Sequence, residues 1–198
     1  EVNDYMSKHE IYVQPGKKFF YNGIGLNIAG RVLEIISKKS FDQLIAQKIF
    51  RPLNMRNSTF YNERAVNPSG GCQSTATDYM NFLQMILNKG MFNGKRILSE
   101  AAVEAMQQAH ATQDMIAYAP KAAEGFDYAL GEWILEKDGN GKSVCVSSPG
   151  LFGTWPLVDN CRGYACIFFV KNLLGEEKRD IYTDMKNTVD GILQTNCN

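Results

Sequence analysis

Two short stretches hold residue types from which an acyl-transfer site can be assembled. Pro15-Gly16-Lys17-Lys18-Phe19-Phe20-Tyr21-Asn22-Gly23 offers a phenol, Tyr21, beside a side-chain amide, and runs into an apolar helical segment. Ser147-Ser148-Pro149-Gly150-Leu151-Phe152-Gly153-Thr154-Trp155 joins two strand-like runs. There Gly150 permits close backbone approach, and an N–H from Leu151 or a neighbour can donate to a developing oxyanion. The third component, a nucleophile of the Ser-x-x-Lys kind, occurs nowhere in the 198 residues. A phenol and a glycine-bearing strand end are present, and the Ser-x-x-Lys serine is not.

Each of these residues also has a plainer reading. Tyr21 alone, one of nine tyrosines and next to two phenylalanines, fits a core aromatic. Ser147-Ser148-Pro149-Gly150 alone fits a strand-ending turn, and Gly70-Gly71 fits backbone geometry better than substrate contact. His110 and Asp114 can be drawn with a serine as a triad, but no spacing fixes their geometry. His110 therefore reads as a surface histidine at a helix end, and His9 beside Glu10 reads the same way.

The elements that must position these segments follow from periodicity. Ile24 to Lys38 carries Ile24, Ile28, Val32, Leu33, Ile35 and Ile36 at mostly helical spacing, and Phe41 to Phe50 repeats the pattern with Phe41, Leu44, Ile45 and Ile49. Ser40 suits the N-cap of the second helix and Arg51-Pro52 its end, so the two predict a helical hairpin. Residues 61–74 are loop in composition. Thr75-Ala76-Thr77-Asp78 then opens a helix through Leu87, stopped by Asn88-Lys89-Gly90, and Ser99 to His110 gives a fourth.

Beyond Glu124 the period changes to two. Tyr128 to Leu135, Ser143 to Ser147, Thr154 to Val158 and Gly163 to Val170 predict strands. Asp138-Gly139-Asn140-Gly141 and Asp159-Asn160-Cys161-Arg162 are their hairpin turns. Glu177 to Leu193 closes as a helix with Ile181, Met185, Val189, Ile192 and Leu193 on one face, expected to cover one side of the sheet. The prediction is an α+β chain with segregated elements: residues 1–124 a mainly helical lobe holding Tyr21, residues 125–198 an antiparallel meander with a covering helix. A single helix leaves the other sheet face open, to be covered by missing sequence or a partner chain.

Bulk composition narrows the function. A chain of this length buries roughly 70% of its unfolded surface and needs no staples. Twenty-one basic residues balance 21 acidic ones, which gives no electrostatic reason for a nucleic-acid or anionic-membrane partner and favours a neutral or small substrate. The five cysteines, Cys72, Cys145, Cys161, Cys166 and Cys197, read as buried or surface thiols rather than a disulfide framework, with at least one unpaired in the chain. With only two histidines, no zinc pattern emerges and no cofactor is suggested. No apolar run reaches the ~20 residues of a membrane span. The start at Glu1, with no Met and no signal-type segment, predicts a processed or truncated chain.

Taken together, the motifs resemble a known family. Pro15-Gly16, Phe20 to Gly23, Gly30, Ile49-Phe50-Arg51-Pro52-Leu53-Asn54-Met55 with Ser58-Thr59, and Gly70-Gly71-Cys72-Gln73-Ser74-Thr75-Ala76-Thr77-Asp78 resemble, in order and spacing, the class C β-lactamases and penicillin-binding-protein-like serine hydrolases. The resemblance spans nearly the whole chain. It implies the C-terminal portion of a β-lactamase-like domain, incomplete relative to the full fold, whose Ser-x-x-Lys helix lies upstream. A serine hydroxyl must pass its proton to a neighbour, and a tyrosine close to a lysine ammonium can relay it, so Tyr21 is the implied general base or relay.

The resemblance also implies a substrate and oxyanion wall of Asn22, Gly23, Ser148, Pro149, Gly150 and Leu151. Two departures stand out. Gly23 occupies the family asparagine position, where Asn22 would have to substitute, and Ser148 stands where a cation or imidazole opens the strand motif. Loss of that cation favours an ester, a peptide or an altered substrate over a penicillin. The implied activity is acyl-enzyme hydrolysis of an ester or amide, dormant in this fragment alone, in an extracytoplasmic bacterial setting. The competing expectation is a non-catalytic relative that binds peptides or muropeptide fragments.

Overall fold

The computed structural model describes residues 7–8, 13–170 and 179–197. His9, Glu10 and the expected start of the last helix at Glu177 lie outside the described residues. After a short strand β1 (Phe19–Phe20) come helix α1 (Ile24–Ser37) and helix α2 (Phe41–Ile45), the latter running on into a π-helical turn at Ala46–Phe50. Helix α3 (Ala76–Leu87), the hairpin β2 (Met91–Phe92) and β3 (Lys95–Arg96), helix α4 (Glu100–Gln107) and strand β4 (Ile116–Tyr118) complete the first half. The second half is β5 (Asp127–Tyr128), β6 (Trp133–Lys137), β7 (Ser143–Ser147), β8 (Trp155–Asp159), β9 (Tyr164–Phe168) and helix α5 (Arg179–Asp190). Strands β5 to β9 form one antiparallel sheet in sequential order.

Local chemistry explains most boundaries. Thr75 Oγ1 accepts from the Asp78 amide at 3.2 Å to cap α3, and Ser99 Oγ accepts from the Ala102 amide at 3.1 Å to cap α4. Gly90 ends α3 with φ +87° and donates to Met85 O at 2.8 Å. Ser40 does not cap α2 with its side chain. Instead Glu34 of α1 reaches across and accepts from the Phe41 amide at 2.9 Å, and this bond, after the Arg31 hydrogen bond, holds the Glu34 carboxyl below its ordinary range. The expected strand from Tyr128 to Leu135 is two strands, because Ala129 to Glu132 folds back with Gly131 at φ +87° and Ala129 N–H on Glu132 O.

Both faces of the sheet are covered, which corrects the expectation of an open one. On one side Ile134, Val146 and Val158 pack with Leu83, Met85 and Ile86 of α3, with Phe50, Leu53 and Met55 after α2, and with Val103 of α4. On the other side Cys145, Trp155 and Leu157 pack with Tyr182 of α5. Helix α5 is turned the opposite way from its hydrophobic pattern: Tyr182 and Lys186 face the sheet, while Ile181, Met185, Val189, Ile192 and Leu193 are exposed.

The reason for that rotation is ionic. Lys186 Nζ pairs with Glu136 and Asp190 and lies 3.6 Å from Asp159, and Arg162 bonds Glu136 at 2.9 Å and Asp159 at 2.8 Å. Tyr164 donates to Asp190 at 2.8 Å. Burial works against the Lys186 ammonium, but its hydrogen bonds to Asp190 and Glu136 more than offset this and hold its pKa above the ordinary lysine value. Beside this network Cys161 and Cys197 form a disulfide, and the Asn196 amide donates to Cys161 O at 2.8 Å. The cysteine expectation is therefore corrected for this pair, and Cys72, Cys145 and Cys166 are free thiols.

Candidate active site

Residues 19–21 are laid against the molecule by backbone pairing. Phe19 pairs with Ile116 of β4 in parallel, and the Tyr21 amide donates to Tyr118 O at 3.1 Å. This sets the Tyr21 ring 5.4 Å from Trp133 and 5.8 Å from Tyr128, whose own ring lies 4.7 Å from Trp133. Trp133 is in register with Ser147, the last residue of β7 before the Ser148-Pro149-Gly150 segment. The structure thus brings the tyrosine segment and the strand segment to one end of the sheet. Burial, and secondarily the neighbouring Tyr21, push Tyr128 up to about 12, so that phenol stays neutral at ordinary pH.

The Asn22 side-chain amide is engaged locally. Its amide nitrogen donates to Phe20 O at 2.7 Å and its oxygen accepts from the Ile24 amide at 2.8 Å, so both ends serve its own turn. Gly23 is a steric requirement of the loop above it. A Cβ there would lie 2.6 Å from Ser69 Oγ and 3.1 Å from Ser69 Cβ, and Ser69 is held by Asn67 Oδ1 at 2.8 Å and by Asn27 Oδ1 on its amide at 3.0 Å. About two helical turns along, a Cβ on Gly30 would meet Pro68 Cγ at 2.5 Å. Residues 67–71 therefore lie flush on α1. Gly71 is a backbone position too, its amide on Asn67 O at 2.8 Å.

At the strand end, Ser148, Pro149 and Gly150 are half-buried and Leu151 is exposed. The Gly150 amide is taken by Thr154 O at 2.7 Å, and Gly153 N–H closes the turn on Gly150 O at 2.9 Å. Among the described residues no hydrogen bond engages the Leu151 amide. The loop is anchored from below, where Tyr182 of α5 donates to Gly153 O at 2.6 Å and stacks on Trp155 at 5.1 Å.

Other candidates are placed elsewhere. His110 Nε2 lies 3.0 Å from Ala105 O and Asp114 is bonded by Thr112, so the two do not form a relay. Asp78, in the Gly-Gly-x-x-Ser-Thr-Ala-x-Asp stretch, is buried and accepts from the Asn57 amide at 2.7 Å and Ser58 Oγ at 2.8 Å, a structural staple. Oxygens of Glu136, Asp159 and Asp190 lie within 4.8 Å of one another, but Lys186 and Arg162 are their counter-ions. Sequence reasoning missed Glu132. It sits on the hairpin next to Trp133 with Oε1 buried and unpartnered among the described residues, and burial pushes its carboxyl up to about 8. The signal available was a charged residue between Gly131 and Trp133 in an otherwise apolar run.

Comparison with known proteins follows this geometry. A family model described as Beta-lactamase matches residues 1–186. Protein Rv1367c of Mycobacterium tuberculosis is 22% identical over 201 residues, covering 80% of this chain and 50% of that protein. The D-alanyl-D-alanine-carboxypeptidase/endopeptidase AmpH of Escherichia coli K12 is 23% identical, covering 74% of this chain and 42% of that protein. A solved putative beta-lactamase from Bacteroides dorei superposes with a TM-score of 0.72 at 27% identity, over 93% of this chain and 62% of its own. A beta-lactamase/D-alanine carboxypeptidase from Yersinia pestis gives 0.69 at 16%, over 93% and 59%. The chain spans about half the length of the curated relatives it matches.

Proposed function

Because the chain belongs to the Beta-lactamase family of serine hydrolases, we propose that it supplies the proton-relay tyrosine and the oxyanion wall of an acyl-enzyme site that cleaves ester, amide or peptide bonds. The observation carrying this reading is the placement of Tyr21 on Trp133, in register with Ser147 at the mouth of the Ser148-Pro149-Gly150-Leu151 segment. In this reading Tyr21 takes the proton of a serine carried on sequence beyond these 198 residues and returns it to the leaving group. The Leu151 amide donates to the oxyanion, since that of Gly150 already serves Thr154. Among relatives, AmpH is named a carboxypeptidase/endopeptidase and one structural neighbour a family VIII carboxylesterase, which supports ester and peptide substrates. No helix among the described residues is long and apolar enough to cross a membrane.

Joining the chain, in cis or in trans, to a segment bearing Ser-x-x-Lys should create serine labelling by a fluorophosphonate or penicillin probe. The 198 residues alone should show none. Tyr21→Phe should slow the labelling about 100-fold, the usual share of a general base, with the fold intact by circular dichroism. No labelling with the segment present overturns the reading. A second reading, a non-catalytic binder of peptides or muropeptide fragments, is favoured by Gly23 and Ser148 at two motif positions and by the engagement of both ends of the Asn22 amide. It predicts saturable peptide binding with no acylation under the same conditions.

A further inference from the structure

A cavity of about 150 Å³ lies between α3 and the β6–β7–β8 part of the sheet. Its walls are apolar and aromatic, formed by Tyr79, Phe82 and Ile86 of α3 with Met106 of α4. Three polar residues, Glu132, Ser147 and Ser148, line it from the sheet, and the Ser147 hydroxyl is already committed to Pro156 O at 2.6 Å. Continuing the Trp133–Ser147 pairing by one residue on each strand sets Glu132 across from Ser148.

A buried carboxyl oxygen without a partner is costly, and native folds rarely retain one without a use. Among the described residues Glu132 Oε1 is such an oxygen, and no lysine or arginine among them acts on its carboxyl. The titratable groups facing it are Tyr79 from α3 and Tyr128 from β5, two phenols that burial pushes up to about 12 and that remain neutral. The site thus offers one potential negative charge in a shell of aromatic and aliphatic walls, with a hydroxyl, Ser148, as a second acceptor.

We propose that this cavity binds a primary ammonium group carried on a short aliphatic stem, with the Glu132 carboxylate as its counter-ion. The ammonium donates to the orphaned oxygen and to Ser148 Oγ, and the aromatic lining of Tyr79 and Phe82 is compatible with a cation. The stem lies against Ile86 and Met106. Below pH 8 the carboxyl enters as the neutral acid, so pairing requires its O–H to break, with the proton going to buffer while the ammonium keeps all of its own. Binding needs no nucleophile and stands apart from the acyl-transfer reading. Where that reading also holds, the cavity seats an amine-bearing arm of the substrate beside Ser148.

The test is calorimetric titration of the 198-residue chain with n-butylammonium chloride at pH 6.5, in two buffers of different ionisation heat. Saturable 1:1 binding with release of about one proton per ligand is expected. Glu132→Gln, isosteric with the neutral acid, should weaken binding at least about tenfold and abolish proton release. In the unsubstituted chain, carbon-detected NMR of the Glu132 carboxyl should show its titration midpoint falling from about 8 to about 5.5 or lower at saturating probe, as release of one proton at pH 6.5 requires. Absence of saturable binding, n-butanol binding as tightly as n-butylammonium, unchanged proton release in Glu132→Gln, or an unmoved carboxyl midpoint would each overturn the proposal.

Discussion

The two faces of the five-stranded sheet are covered by helices that hold on in opposite ways. Helix α3 offers Leu83, Met85 and Ile86 to Ile134, Val146 and Val158, an apolar contact that is non-directional and insensitive to pH. Helix α5 offers Tyr182 and Lys186, and places the ammonium among Glu136, Asp159 and Asp190. That contact contributes little net free energy beyond an apolar one, because desolvation offsets most of the attraction. It does fix the rotation of α5 about its axis, which an apolar stripe alone would have set the other way. The difference teaches that one face supplies cohesion and the other supplies orientation, including the Tyr182 hydrogen bond that holds the Gly150–Gly153 turn.

The sharpest way to break this comparison is to remove the cation. Lys186→Met should destabilise the fold by about 3–5 kcal/mol, because three carboxylates are then left around Arg162 alone. Chemical denaturation measures it, and a loss below about 1 kcal/mol would mean that the ionic face orients nothing. On the opposite face, Met85→Ala, away from the cavity that Glu132 lines, should cost about 2–4 kcal/mol by cavity formation, with the loss constant between pH 5 and 9.

A smaller effect tests an acidic group enclosed on the α3 face. Glu132 has a folded pKa of about 8, raised by burial above the carboxylate's ordinary 4.5. The unfolded chain releases this proton first, so folding stability falls as pH rises from about 4.5 to about 8 and is level on either side. Glu132→Gln removes that penalty. The variant should match the parent near pH 4.5 and exceed it by ~1–2 kcal/mol at pH 8.5, after discounting for partial exposure, read from melting curves across pH. Equal pH profiles for the two proteins would place the charge in water.

What the sequence disclosed follows the range of the interactions involved. Ser143–Ser147, the Asn140-Gly141 turn and the Thr75 cap of α3 were legible because each is decided within a few residues. The orientation of α5 was not, because the stripe of Ile181, Met185 and Val189 is outvoted by Glu136, 50 residues from Lys186 in sequence. The β1–β4 pairing and the Cys161–Cys197 disulfide likewise join distant segments with no local mark. In the candidate site, Tyr21 and the Ser148-Pro149-Gly150 segment stood out by motif, and their convergence through Trp133 is a matter of sheet register. Glu132 was illegible because an acidic residue on a hairpin ordinarily faces solvent, and only the packing of α3 encloses it.

The loop seated on α1 at Gly23 and Gly30 couples two positions far apart in sequence. An asparagine at position 23, as the wider family writes it, would bring its first side-chain carbon within 2.6 Å of Ser69 Oγ, so that hydroxyl would have to turn away and give up its bond to Asn67. Ser69→Gly opens the space, and Gly23→Asn should therefore cost less in a Ser69→Gly background than alone, a non-additivity that ties the tyrosine segment to the loop resting on it.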